Sequence, residues 1–184
     1  MTRDRCEIHR QFKAVDDAFR RGDFTGLEAA LGNPPDFPNC LQPFDLGVGD
    51  YPLEYAIYWS PLPFIAELLE RGADPNYPDR SGFPSLIAVL SAHRPDRDTV
   101  LRLLLEKGAD PRQRGLNDLT PLHDAVTRRS LAAVEMLLEH GADPTIRTRI
   151  DDCSTPLEDA EAIGFRAAAD LMRRVPARWR VDLE

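Results

Sequence analysis

The chain has 184 residues, a formal net charge of −8, 29% charged and 42% hydrophobic residues, a balance expected of a soluble protein that buries a core. An acidic chain gains nothing from neutralising phosphates, which argues against nucleic acid as a partner. No apolar run approaches the roughly 20 residues of a membrane helix. Met1–Glu7 lacks the apolar core of a signal peptide, and Cys6, Cys40 and Cys153 form no CxxC and leave one thiol unpaired. A reduced, cytoplasmic setting follows as the expectation. Arg-rich usage, with Lys13 and Lys107 the only lysines, points to a GC-rich bacterial genome.

In chain order, residues 1–11 are polar and read as a frayed lead-in. A helix follows from Phe12, with Val15, Ala18 and Phe19 on one face. Gly22-Asp23 breaks it, and Phe24, Leu27, Ala30 and Leu31 share one face of a second short helix. Residues 12–31 thus form a helix pair suited to capping the end of a stack. Residues 32–50 hold four prolines in their first twelve positions and then Phe44, Leu46 and Val48, so they read as an enlarged loop packed on the chain, either a lid or a part of the core.

Beyond that loop the sequence repeats itself. Leu68-Leu69-Glu70-Arg71-Gly72-Ala73-Asp74-Pro75 returns as Leu104–Pro111 and as Leu137–Pro144, with glycines 36 and 33 residues apart. Each copy reads as a helix end: apolar residues close a buried face, a basic residue faces the dipole, glycine takes the left-handed position and proline blocks continuation. Apolar triplets recur ahead of it, Ile65/Leu68/Leu69, Leu101/Leu104/Leu105 and Val134/Leu137/Leu138. No single pair of helices can bury such a face alone, so neighbouring pairs must stack.

A second motif heads each unit: Thr120-Pro121-Leu122-His123-Asp124-Ala125, with looser versions at Tyr51–Ala56, Pro84–Ala88 and Thr155–Ala160. Together the two motifs resemble the ankyrin-repeat family over residues 12–175. The resemblance implies an all-α solenoid of about five stacked helix-turn-helix pairs with short β-hairpin-like tips. On this reading 51–80, 81–115 and 116–150 are repeats, 151–176 is a C-terminal capping repeat and 177–184 a tail. From motif proline to closing glycine there are 20 residues at 52→72 and 121→141 but 24 at 84→108, an excess of four assigned to Ala92–Asp98, where Asp96 is a candidate cap. Residues 147–152 lengthen a tip.

The resemblance also implies what the protein does: a non-enzymatic module that binds a protein partner through a concave groove and its tips. Tyr58 and Trp59 fall where inner helices end on that groove. Their equivalents are Arg20/Arg21, Leu90/Ser91, Thr127/Arg128 and Ala162/Ile163. Tyr and Trp dominate binding hot spots, although packing beneath the Pro-rich loop is an alternative use for them. Tip candidates are Asp50, Asn117, Leu119 and Ser154, joined by Arg147, Arg149 and Asp152, and an exposed Leu119 suits a partner. The resemblance makes His123 structural, bonding to backbone between repeats. Asp151, Asp152 and Cys153 with Arg147 and Arg149 are the one set that invites a hydrolase reading, and a tip of paired or solvated charges is the plainer one. No phosphate loop, HExxH or nucleophile elbow occurs, and no cofactor, metal or catalytic residue is expected. A structural subunit or homo-oligomer is the other reading, with a monomer favoured.

Overall fold

In the computed structural model, which describes residues 5–43, 49–78, 81–149 and 153–175, the secondary structure among those residues is helical. The order is α1 (Arg5–Arg21), α2 (Phe24–Leu31), α3 (Pro52–Trp59), α4 (Leu62–Glu70), α5 (Ser85–Ser91), α6 (Arg97–Glu106), a 3-10 turn (Leu116–Asp118), α7 (Pro121–Thr127), α8 (Leu131–Glu139), α9 (Pro156–Ala162) and α10 (Arg166–Arg174). Consecutive helices pair, and the pairs stack in two layers. The inner layer runs α1, α3, α5, α7, α9, and the outer layer continues through α4, α6, α8 and α10. The fold is the ankyrin-type solenoid that the repeats imply.

The repeated motif closes each outer helix by the same chemistry. Gly72, Gly108 and Gly141 stand at φ of 92, 90 and 90°. The following alanines donate to the carbonyls five residues back (Ala73 to Leu68, Ala109 to Leu104, Ala142 to Leu137, each 2.9 Å), while each glycine N–H bonds the carbonyl three back. This is the Schellman closure. A Cβ on Gly72 or Gly108 would touch nothing within 4 Å, so glycine is demanded by conformation and not by space. The alanines are buried, as are the leucines of the triplets apart from a half-exposed Leu138. The aspartate that follows serves the turn: Asp74, Asp110 and Asp143 each accept from the backbone N–H two residues on, at 2.8–2.9 Å.

Neighbouring repeats are tied by an asparagine rung. Asn76 donates to the Gly108 carbonyl at 2.9 Å and accepts from Asp110 N–H at 2.8 Å. Asn39 does the same to Gly72 and Asp74, at 2.9 and 2.7 Å. The Pro-rich loop therefore enters the stack in register: Cys40 and Gln42 are buried, and Gln42 donates to Gly49. Residues 32–43 are held to the stack through Pro38, Cys40 and Gln42, while Leu41 stays exposed. Phe44, Leu46, Val48, Trp179 and Val181 lie outside the described residues.

Three expectations change. The first helix begins at Arg5, not Phe12. No Gly or Pro interrupts Arg5–Arg21, so once Val15, Ala18 and Phe19 are buried the helix extends back over exposed residues at one bond per residue. Second, Pro84 occupies the N-cap and not the first helical position of α5, equivalent to Thr120. Counted from N-cap to glycine, 84→108 is 24 residues against 21 for 120→141, so the insertion is three residues, and the groove positions of that repeat are Ser91 and Ala92. Leu90 is buried. Third, Asp96 makes no side-chain cap; it holds Arg94 by two hydrogen bonds at 2.7 and 2.9 Å. Arg94 in turn donates to the carbonyls of Ile57 (2.7 Å) and Ser60 (3.4 Å), at the negative end of α3. The insertion is a buckle between the second and third pairs.

Candidate functional site

The motif that starts each inner helix also fastens it to the next tip. His123 is fully buried. Its Nδ1 accepts from Thr120 N–H at 3.2 Å, which leaves the ring proton on Nε2 to donate to the Ser154 carbonyl, also at 3.2 Å. Burial holds its pKa below the usual value, against the opposing pull of Ser154, so the ring sits neutral. Glu54 takes the same position in the second repeat. It accepts from Asp50 N–H (3.0 Å) and Ser81 Oγ (3.1 Å), and burial pushes its carboxyl up despite those bonds. Ile87 substitutes packing for hydrogen bonds: its Cδ1 would lie 2.8 Å from a Cβ on Gly115. Glu158 is the fourth version, bonded to Thr155 N–H and to both terminal nitrogens of Arg147.

The tips follow one another by backbone bonds. Leu116 N–H donates to Gly82 at 3.1 Å and Arg149 N–H to Asn117 at 3.0 Å. Gln42→Asp50, Gly115→Leu119 and Thr148→Ser154 close the individual tips in the manner of a hairpin. Asn117 and Asp118 both adopt positive φ, 59° each. That double left-handed turn moves the exposed apolar residue from Leu119, which is half-buried, to Leu116, which is 59% exposed. Period alone does not reveal such a turn.

Beside the tips the inner helices present two features. At the second repeat Trp59 is 48% exposed, and the Arg20 guanidinium lies 4.7 Å from its ring centroid. Arg20 is fixed by Asp16 at 2.8 Å, and Asp16 also accepts from the Tyr55 hydroxyl at 2.7 Å. Burial works to raise the Asp16 carboxyl, but these two donors outweigh it and hold it low, while burial and Asp16 push the Tyr55 phenol up. Tyr58 is half-buried against the core. Trp59 is thus open to solvent and not packed away. At the fourth and fifth pairs a groove of about 460 Å3 runs between tips and helices, with Asn117, Leu119, Thr127, Arg129, Asp159 and Ile163 among its walls.

The other anticipated residues have structural partners. Arg128 bonds Asp124 (2.9 Å) and Ser91 (3.1 Å), linking the third and fourth pairs. Arg147 clamps Glu158 and the Cys153 carbonyl, and the contact with Glu158 lowers that carboxyl. Arg149, 70% exposed, lies 3.9 Å from Asp118. Asp50 contributes its backbone to the tip. Asp151 and Asp152 lie outside the described residues. Sequence reasoning missed Asp159, Arg129 and the asparagine rung; the signal for the rung was an Asn two residues after Asp74 and another 37 residues earlier.

A model of ankyrin repeats in three copies matches residues 53–148, about half the chain. The chain belongs to the ankyrin-repeat family. It is 36% identical over 104 residues to a candidate E3 ubiquitin-protein ligase of Arabidopsis thaliana, covering 55% of this chain and 21% of that protein. It is 38% identical over 87 residues to an ankyrin repeat-containing protein of Treponema pallidum, 46% of this chain and 28% of the other. With BCL-6 corepressor-like protein 1 of Homo sapiens the figures are 31% over 117 residues, 64% and 6%. The ankyrin-repeat chain therefore spans less than a third of each of these relatives. Ankyrin repeats generally mediate protein–protein interaction, and the fold is typically a non-enzymatic module. Among the described residues no helix is long and apolar enough to cross a membrane.

Proposed function

We propose that this ankyrin-repeat chain is a non-catalytic binding module of the cytoplasm that holds a protein partner on the face formed by its inner helices and tips. One observation carries the reading: an open Trp59 braced by Arg20 and the 460 Å3 groove ending at Ile163 lie along the same inner layer, flanked by tips that are bonded to one another. A half-exposed indole on a fixed support is the kind of anchor that contributes most at interfaces. Asn117, Leu119 and the exposed Leu116 extend the face onto the tips. Arg128, Arg147 and Arg149 shape it by holding neighbours in place. The net charge of −8 favours a protein over nucleic acid.

The test is affinity capture with the full chain, comparing wild type with Trp59→Ala, Leu116→Asp and Ile163→Asp after each has been checked by circular dichroism. Loss of one captured protein with Trp59→Ala or Ile163→Asp is the expected result. A partner retained equally by all three variants would place binding elsewhere.

A further inference from the structure

Asp124 and Asp159 occupy the same place in the motif, and their surroundings differ. Asp124 is answered one turn later by Arg128 at 2.9 Å. One turn after Asp159 stands Ile163, and among the described residues no side chain hydrogen-bonds or ion-pairs with the Asp159 carboxylate, whose charge acts on His123 without a bond between them. It is half-exposed and lines the groove between α7 and α9. The neighbouring donors are already engaged: His123 Nε2 gives its proton to Ser154, and Arg129 Nη2 is turned to the Ile163 carbonyl. The wall is mixed: Ile163, 37% exposed, Leu119, Val126 and Ala162 supply an apolar part, and Asn117, Thr127, Thr148, Ser154 and Arg129, whose guanidinium is turned to the Ile163 carbonyl, supply the polar part. The volume lies within the roughly 300–1,000 Å3 of ligand clefts.

We infer that this groove takes a cationic side chain, Arg or Lys, from a basic segment of the partner protein, its head on the Asp159 carboxylate and its methylene stem along Ile163, Ala162 and Leu119. The inference rests on the groove reading above and gives it a partner chemistry. A long basic side chain suits this wall, because its stem is apolar and its head carries the positive charge that answers the Asp159 carboxylate. The chain's own charge of −8 attracts such a segment from a distance.

The probe is a displayed library of random twelve-residue peptides selected on the full chain, followed by fluorescence polarisation with the best peptide. Enrichment of Arg or Lys beside an apolar residue is expected. Asp159→Asn, with an unchanged circular dichroism spectrum, should weaken that peptide about ten-fold, and added salt should weaken wild-type binding more than the variant's. Ile163→Ser tests the stem side and should weaken binding too. Peptides without a basic residue, or binding unmoved by Asp159→Asn, overturn the inference. Peptides that respond to Trp59→Ala alone remove the cationic subsite and leave the proposed binding face at Trp59 standing. Peptides indifferent to both variants remove both, and a library that enriches nothing counts against the subsite.

Discussion

The second and fourth repeats carry nearly the same outer helix and quite different inner ones. Ile65/Leu68/Leu69 and Val134/Leu137/Leu138 face the same core and end in the same glycine turn. On the inner side a buried carboxylate, Glu54, holds one tip, and a buried neutral imidazole, His123, holds the other. Beside them Trp59 faces solvent where Arg128 is tied to Asp124 and Ser91. The outer layer is constrained by stacking, which every repeat must satisfy alike. The inner layer needs only some link to the next tip, and carboxylate, imidazole, isoleucine and an exposed ion pair all provide one. Variation there is compatible with the fold, which is why the proposed contact face is placed on that layer.

The sameness of the outer layer can be broken most forcefully. Leu68→Ala and Leu137→Ala, each at a fully buried position, should cost about 2–5 kcal/mol apiece by urea denaturation. If one costs several-fold more than the other, the two outer helices are not equivalent.

The difference between the inner layers should appear with pH, in opposite senses. His123 has its folded pKa below the ordinary 6.5, so the unfolded chain binds the extra proton and stability falls as pH drops below about 6.5. Glu54 has its folded pKa above the ordinary 4.5, so the folded chain binds the extra proton and stability falls as pH rises from about 4.5 through the raised value. Melting temperatures from pH 4.5 to 7.5 should therefore lose their acid-side decline in His123→Gln and their opposing rise on acidification in Glu54→Gln. Identical slopes in both variants and wild type would contradict the assignment.

The smallest effect sharpens the comparison of rungs. Arg112 stands two residues after Asp110, where Asn76 follows Asp74. Arg112→Asn should install the missing rung to Gly141 and Asp143 and raise stability by about 0.5–1.5 kcal/mol, measured by denaturation. No gain would mean that the third and fourth pairs are spaced differently from the second and third.

The repeat, its glycine closures and the five helix pairs were legible in the sequence because they recur, and recurrence exposes a shared constraint. What was not legible depends on single residues without a second copy. A proline heading a helix fits either the N-cap or the first turn, so Pro84 shifted a register by one. Leu119 and Leu116 exchange exposure because Asn117 and Asp118 both turn left-handed. Trp59 was placed correctly on the inner layer, since its position follows from the motif count. Asp159 was passed over because its significance is the absence of a partner at Ile163, which only comparison with Asp124 reveals.

The asparagine rungs have a mechanical consequence. They join the first pair to the second and the second to the third, where Arg94 adds a strap. Between the third and fourth pairs Arg112 makes no rung, and the ties are instead Arg128 to Ser91 and the Leu116 N–H to the Gly82 carbonyl, each at 3.1 Å. Force passing along the stack therefore changes hands there, from side-chain rungs at the outer turns to bonds at the tips and inner helices, with the proposed groove on one side of that junction and Trp59 on the other. A partner gripping both would span that junction.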